Sequence, residues 1–244
     1  MDNGALIATE NLVKQYPMGG NRFTALEDVN VTVRRGEFLG LVGPSGSGKT
    51  TLLNIIGALD FPTGGRATVL GQDIGSLSHR ESARLRNQHM GFIFQTYNLL
   101  PVYTVYENVE FPLLLLGMEA GQRRQAVTEA LAWVGLTEKT NSRPAQLSGG
   151  ESQRVAVARA MVKKPEIVLA DEPTANLDAE NSHNILQMMA RLNRELETTF
   201  LFATHDQKVI GYLRRRITLR DGRVDEDIAM TPQFDDTGQR HADR

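Results

Sequence analysis

A chain of 244 residues is long enough to bury a substantial core, and Lys+Arg 27 against Asp+Glu 29 leaves it almost without net charge. That balance gives no whole-chain positive field and argues against nucleic acid as the partner. With no cysteine, disulfides and thiolate metal sites are excluded.

The opening MDNGALIATENLVKQY contains acidic residues and no sustained apolar core, unlike a secretory leader, and is expected to stay on the protein. Val29, Val31 and Val33 alternate with polar neighbours, which predicts a half-buried antiparallel strand. EFLGLV at 37–42 is a short apolar run that ends at a glycine-rich turn, and TLLNIIGAL after it has helical character. From about Ser78 to Met161 the pattern is mainly helical, with Val127, Ala130, Leu131 and Val134 on one helix face. Within it the run Leu113 to Leu116 falls far short of the roughly 20 residues a spanning helix needs.

IVLA at 167–170 and FLFAT at 200–204 read as buried parallel strands. Ile185, Met188, Met189, Leu192 and Leu196 mark an amphipathic crossover helix between them. Asp221-Gly222 predicts a hairpin turn between ITLR and RV, and the basic cluster Arg214 to Arg216 reads as solvated. Asp225, Glu226, Asp227, Asp235 and Asp236 among polar neighbours suggest a weakly ordered tail. The expected organisation is one α/β domain over 1–224. Its core spans about 1–80 plus 162–224, a helical subdomain about 81–161, and an acidic tail 225–244.

The first chemical signal is Gly43-Pro44-Ser45-Gly46-Ser47-Gly48-Lys49-Thr50, a phosphate-binding loop pattern with a strand before it and a helix after it. The glycines let successive N–H groups turn toward phosphates, Lys49 supplies a cation, and the Thr50 hydroxyl suits magnesium. Thr51 beside them completes the nucleotide-facing set. Kinases, GTPases and motors all share such a loop. IVLADE then ends an apolar strand in two carboxylates: Asp171 for the magnesium shell and Glu172 to orient and activate water.

LSGGESQRVAVARAM, beginning at Leu147, carries the decisive pattern. Ser148, Gly149 and Gly150 open a helix whose N–H groups and positive dipole end favour an anion. This segment resembles the signature of the ABC (ATP-binding cassette) ATPases, and the resemblance runs from about Leu6 to Val224. It implies a P-loop NTPase core with an antiparallel β subdomain and an inserted α-helical subdomain. It also implies ATP hydrolysis with Mg2+. By motif position Tyr16 stacks on adenine, Gln95 in FIFQ links the magnesium site to the helical lobe, His205 in ATHD senses the γ-phosphate, and Asp178 in TANLD reaches across a dimer. The expected partner is a second copy, with Ser148 and Gly150 of one chain facing ATP held by Lys49 of the other.

Segments NIIGALDFPTGG, GFIFQTYNLLP and ENVEFPLLL further resemble the branch of lipoprotein-releasing and macrolide-exporting ATPases. That resemblance implies a place on the cytoplasmic face of the inner membrane, beneath a separate permease contacted by the 95–117 region. Importer, cell-division and soluble ABC ATPases are the alternatives. Glu151 stands where Gln is frequent after LSGG, and Asn176 occupies a variable position; neither removes a catalytic group.

Overall fold

The computed structural model describes residues 4–234. Ala5–Met18 (β1) and Asn21–Arg34 (β2) form a long antiparallel pair that turns at Gly19 and Gly20, both at positive φ. Phe38–Val42 (β3) runs into the phosphate loop and the helix Lys49–Ile56 (α1). Gly64–Val69 (β4) and Gln72–Asp73 (β5) complete a small antiparallel sheet in the order β2-β1-β4-β5.

His79–His89 (α2) leads into Met90–Phe94 (β6), and three helices follow: Val105–Leu115 (α3), Ala120–Trp133 (α4) and Gly149–Met161 (α5). Ile167–Asp171 (β7), Ala179–Leu196 (α6), Thr199–Thr204 (β8) and Gln207–Ile210 (α7) return the chain to the core. Arg215–Arg220 (β9) and Arg223–Ala229 (β10) form a hairpin whose turn is Asp221-Gly222, as the sequence predicts. The large sheet has the order β10-β9-β3-β8-β7-β6, parallel except for the β10 edge.

Strand periodicity divides the core into two layers, because successive side chains point to opposite faces. Leu39, Leu41, Leu169 and Leu201 pack with Ile7, Val29, Leu52 and Ile55 between the two sheets around α1. Phe38, Val168, Phe200 and Phe202 point the other way, against Val109, Val127, Leu131, Val157 and Leu186 of the helices. Both faces of the parallel strands are therefore covered, which explains their continuous apolar runs.

Two expectations are corrected. MGFIF, placed by sequence inside the helical lobe, is strand β6 of the core sheet, paired in parallel with β7. A five-residue apolar run between helices has no period long enough to tell helix from strand. Asp225, Glu226 and Asp227, expected in a weakly ordered tail, lie on β10; Asp225 pairs with Arg220, Glu226 with Arg216 and Asp227 with Arg215. Asp235 and Asp236 lie outside the described residues. Arg215 also meets Glu37, so the basic cluster is paired rather than merely solvated. Among the described residues no helix is long and apolar enough to cross a membrane.

The loop from Leu99 to Thr104 is pinned by one fully buried side chain, Asn108 of α3. Its Oδ1 accepts from Leu100 N at 2.8 Å, and its amide donates toward the carbonyls of Leu100, Tyr103 and Thr104 at 3.1, 3.2 and 2.9 Å. Removing a buried group with this many partners strands main-chain polar atoms, so Asn108→Ala should destabilise the fold by about 2 kcal/mol, read from urea unfolding.

Candidate active site

β3, β7 and β8 are adjacent and parallel in the sheet, so their carboxyl ends open on the same edge. Ligand sites in such sheets lie beyond those ends. The loop Gly43–Gly48 leaves β3 there, wedged against the rest of the fold. A Cβ on Gly43 would sit 2.2 Å from the Leu219 carbonyl, and one on Gly48 would sit 2.7 Å from the Ala25 carbonyl. Gly48 also has φ +100, as N-cap of α1. The loop, Thr50, Thr51, Glu172 and His205 line a cavity of about 350 Å3. Ser47 Oγ is buried with no hydrogen-bond partner among the described residues.

Lys49 Nζ donates to the carbonyls of Gly43 and Pro44 at 2.8 and 2.9 Å. Burial lowers its pKa, and the charges of Glu172 and Asp171 oppose that shift. Thr50 Oγ1 stands 3.3 Å from Asp171 Oδ2 and 3.4 Å from Oδ1 at the end of β7. Burial raises the Asp171 carboxyl pKa; Thr50 opposes this, Glu172 reinforces it and Lys49 opposes it.

Glu172 is held with φ +44, a left-handed conformation uncommon for a side-chain-bearing residue. Its N–H donates to the Ala203 carbonyl at 2.9 Å, while Oε2 accepts from Thr204 Oγ1 at 3.0 Å. His205 Nδ1 lies 2.5 Å from Glu172 Oε1. The turn thus brings a carboxylate and an imidazole together at the cavity wall.

Other predicted residues lie away from this lining. Gln95 follows β6, is exposed, and accepts a hydrogen bond on its carbonyl from Asn176 Nδ2 at 3.0 Å. Ser148 caps α5 in a capping box: Glu151 N–H donates to Ser148 Oγ, and Glu151 Oε2 accepts from Ser148 N–H. The Glu151 carboxylate therefore has a job at the signature position where Gln is frequent. Gly150 is packed so tightly that a Cβ would come 2.4 Å from Asn181 Oδ1. Asp178 caps α6, accepting from Asn181 N at 2.8 Å. Tyr16 lines a shallow hollow with Gln15, Pro17, Arg22 and Thr63.

Sequence reasoning missed Phe23, half exposed at the cavity wall and paired in register with Tyr16 across β1 and β2. Only the strand register reveals it.

A family model described as ABC transporter matches residues 26–175, more than half of the chain. The chain belongs to the ABC transporter family of ATP-binding cassettes. The cassette is similar to the dimeric ATP-binding cassette MJ0796 in a post-hydrolysis state bound to ADP and Pi. The two share 40% identity over 91% of this chain and 98% of that one, with a TM-score of 0.84. A second structure of MJ0796, described as a dimeric bacterial ABC transporter cassette, gives 41% identity with the same coverage and TM-score. CbiO1 from Clostridium perfringens, described as part of the ABC transporter complex cbiONQ, is 28% identical over 92% of this chain and 88% of its own, with a TM-score of 0.83. The α/β P-loop architecture expected from sequence is thus shared with solved ATPase cassettes.

Two predictions test this site. Gly48→Ala forces a Cβ into the Ala25 carbonyl at positive φ, so ATP affinity should fall by about tenfold or more in calorimetric titration. The raised pKa of Asp171 means the folded chain holds that proton more tightly than the unfolded one, so stability is lost as pH rises through the folded value. Asp171→Asn should therefore unfold at higher urea than the native cassette at neutral pH, with the gain shrinking in acid.

Proposed function

We propose that this cassette hydrolyses ATP to drive a separate integral membrane permease of the lipoprotein-release or macrolide-export type, working at the cytoplasmic face of the membrane. One observation carries the permease reading: an apolar groove lined by three cations that meet no carboxylate among the described residues, with the loop that begins at Gln95 along its edge. The groove encloses about 460 Å3 between α2, β6, α3 and α5, with Leu59, Met90, Phe92, Phe111, Pro112 and Leu115 among its lining. Leu59 and Leu115 are 48% and 61% exposed, a cost that a partner's apolar helix face would relieve.

Arg86, Arg159 and Lys163 line the same groove. Their hydrogen bonds go to main-chain carbonyls: Arg86 to Ala58, Arg159 to Tyr97 and Asn98, Lys163 to Arg86 and Asn87. None of the three meets a carboxylate among the described residues, and burial pushes Lys163 down to about 8. Such a groove suits an amphipathic helix that carries acidic residues beside its apolar face. The partner contact expected over 95–117 agrees with Asn98, Phe111, Pro112 and Leu115 lining the groove.

In the proposed reaction the loop N–H groups and Lys49 hold the phosphates, and Glu172 orients and deprotonates the attacking water. His205, against Glu172 at 2.5 Å, keeps that carboxylate aimed and faces the γ-phosphate. Tyr16 supports adenine. A hydroxyl and a carboxylate oxygen 3.3 Å apart, Thr50 and Asp171, fit Mg2+, a hard cation that takes oxygen ligands and keeps phosphate and water in its shell; Gln95 is the third proposed ligand. The ion would neutralise charge on the β- and γ-phosphates.

The relatives named MJ0796 are described as dimeric, and we carry that arrangement over: two copies share two ATP molecules, with Ser148, Gly149, Gly150 and Asp178 of one facing the phosphates held by the other. The importer reading keeps the same catalytic residues, and CbiO1, described as part of the cbiONQ complex, is less similar than MJ0796.

Glu172→Gln should bind ATP as the native cassette does and turn it over about 100-fold or more slowly in steady-state phosphate release. Undiminished turnover would assign the base elsewhere. Ser148→Arg should abolish ATP-dependent dimerisation in sedimentation while leaving the monomer folded. For the permease, Leu115→Arg should leave basal ATPase intact and release the Glu172→Gln cassette from ATP-treated native membranes; retained membrane binding would exclude this groove.

A further inference from the structure

We propose that Asp60 and Lys14 form a fixed mount for the Tyr16 ring, tying the nucleobase platform to the phosphate-binding helix. The proposal rests on the reading of Tyr16 as that platform. Alternation along β1 puts Lys14 and Tyr16 on one face, and Lys14 is only 7% exposed. A buried ammonium is unfavourable unless paired, and here Asp60 Oδ1 accepts from Nζ at 2.5 Å and the Phe61 carbonyl at 2.8 Å. The other Asp60 oxygen, Oδ2, accepts the Tyr16 hydroxyl at 2.7 Å, while Phe61 N–H donates to Oδ1 at 2.7 Å.

Each group keeps the protonation state the mount requires. Burial alone would raise the Asp60 carboxyl, but hydrogen bonds from Lys14 and Tyr16 bring it below its usual value, so it stays an acceptor. Burial and Asp60 raise the Tyr16 hydroxyl, so it stays a donor. Lys14 Nζ stands 4.8 Å from the Tyr16 ring centroid. That face of the ring is therefore taken by a cation, and a purine has the opposite face.

The mount reaches the phosphate helix at both ends. Thr51, in the first turn of α1, stands near enough to the Tyr16 hydroxyl to offset part of the rise in its pKa. Asp60 lies just past the helix, its N–H on the Asn54 carbonyl at 3.2 Å. The β1–β2 ladder shifts register between Leu12 and Lys14 and again between Lys14 and Gln15, just before Tyr16 pairs with Phe23, so the side-chain mount sits where the strand is irregular. Asp60 and Lys14 thus set the distance between base and phosphate sites, as positioning residues that need touch no nucleotide.

The test compares ATP with inorganic tripolyphosphate, which has phosphates and no base, in calorimetric titrations of the full chain. Tyr16→Ala, Asp60→Ala and Lys14→Met should each weaken ATP binding by about tenfold, the scale of one base stack, and change tripolyphosphate binding less than about twofold. The Tyr16→Ala, Asp60→Ala double variant should lose little more than either alone. Equal losses for both ligands would reduce Asp60 and Lys14 to fold stabilisers and overturn the mount. A selective loss in Tyr16→Ala but not in Asp60→Ala or Lys14→Met would also overturn it while sparing the platform. No selective loss in Tyr16→Ala would sink the platform reading itself. If Asp60→Ala does not fold, Tyr16→Phe keeps the ring without the hydroxyl and should reproduce part of the selective loss; native ATP affinity there would count against the mount.

Discussion

Bare main chain pressed between two other strands is the constraint on which the rest of this cassette depends. Gly43 touches the carbonyl of Leu219 on β9, and Gly48 touches that of Ala25 on β2. With no side chain able to fit at these two positions, the main chain there packs directly against its neighbours, and the turn it makes presents backbone N–H groups of the kind an anion with several oxygens requires. The same squeeze fixes where α1 begins and therefore where Lys49, Thr50 and Thr51 stand. β7 and β8 need only end level with β3 for Glu172 and His205 to arrive at the same cavity and Asp171 beside Thr50, and parallel pairing guarantees that they do.

The site is electrostatically uncomfortable by construction. Burial works against the charged forms of both Lys49 and Asp171, and Glu172 adds a second anion beside Asp171. Left-handed backbone at Glu172 adds conformational cost. Such tension concentrates where binding can relieve it: a polyanion would answer Lys49, and the proposed divalent cation would answer the carboxylates. Folding stability and ligand recognition pull in opposite directions at these residues, while the apolar layers on either side of the sheet supply the difference.

The candidate catalytic parts are legible in sequence because each is a local pattern. Gly43–Thr50 is contiguous, Asp171 and Glu172 end a run whose apolar character marks a buried strand, and Ser148 carries its own cap partner three residues on at Glu151. What stayed hidden depends on pairing across the chain. β6 was lost among helices because its partner β7 is far away in sequence. The acids at 225–227 resembled a tail because the arginines that answer them lie on β9, across a hairpin whose length the turn residues do not state. Phe23, Arg86 and Lys163 belong to no motif, and Arg159 sits inside the segment that begins at Leu147 without a role assigned there; their meaning comes from their neighbours.

Arg159 shows how such a neighbour can matter. Its guanidinium grips the carbonyls of Tyr97 and Asn98, two consecutive residues with φ +60 and +50. Each left-handed residue costs about 1–2 kcal/mol against the right-handed basin, so the pair is a wound spring and Arg159 is its catch. Because Asn176 holds the neighbouring Gln95 carbonyl as well, the spring is anchored to both the signature helix and the strand-end turn that carries Glu172. The groove loop therefore cannot leave the helix that Ser148 caps without giving up two hydrogen bonds from a charged donor.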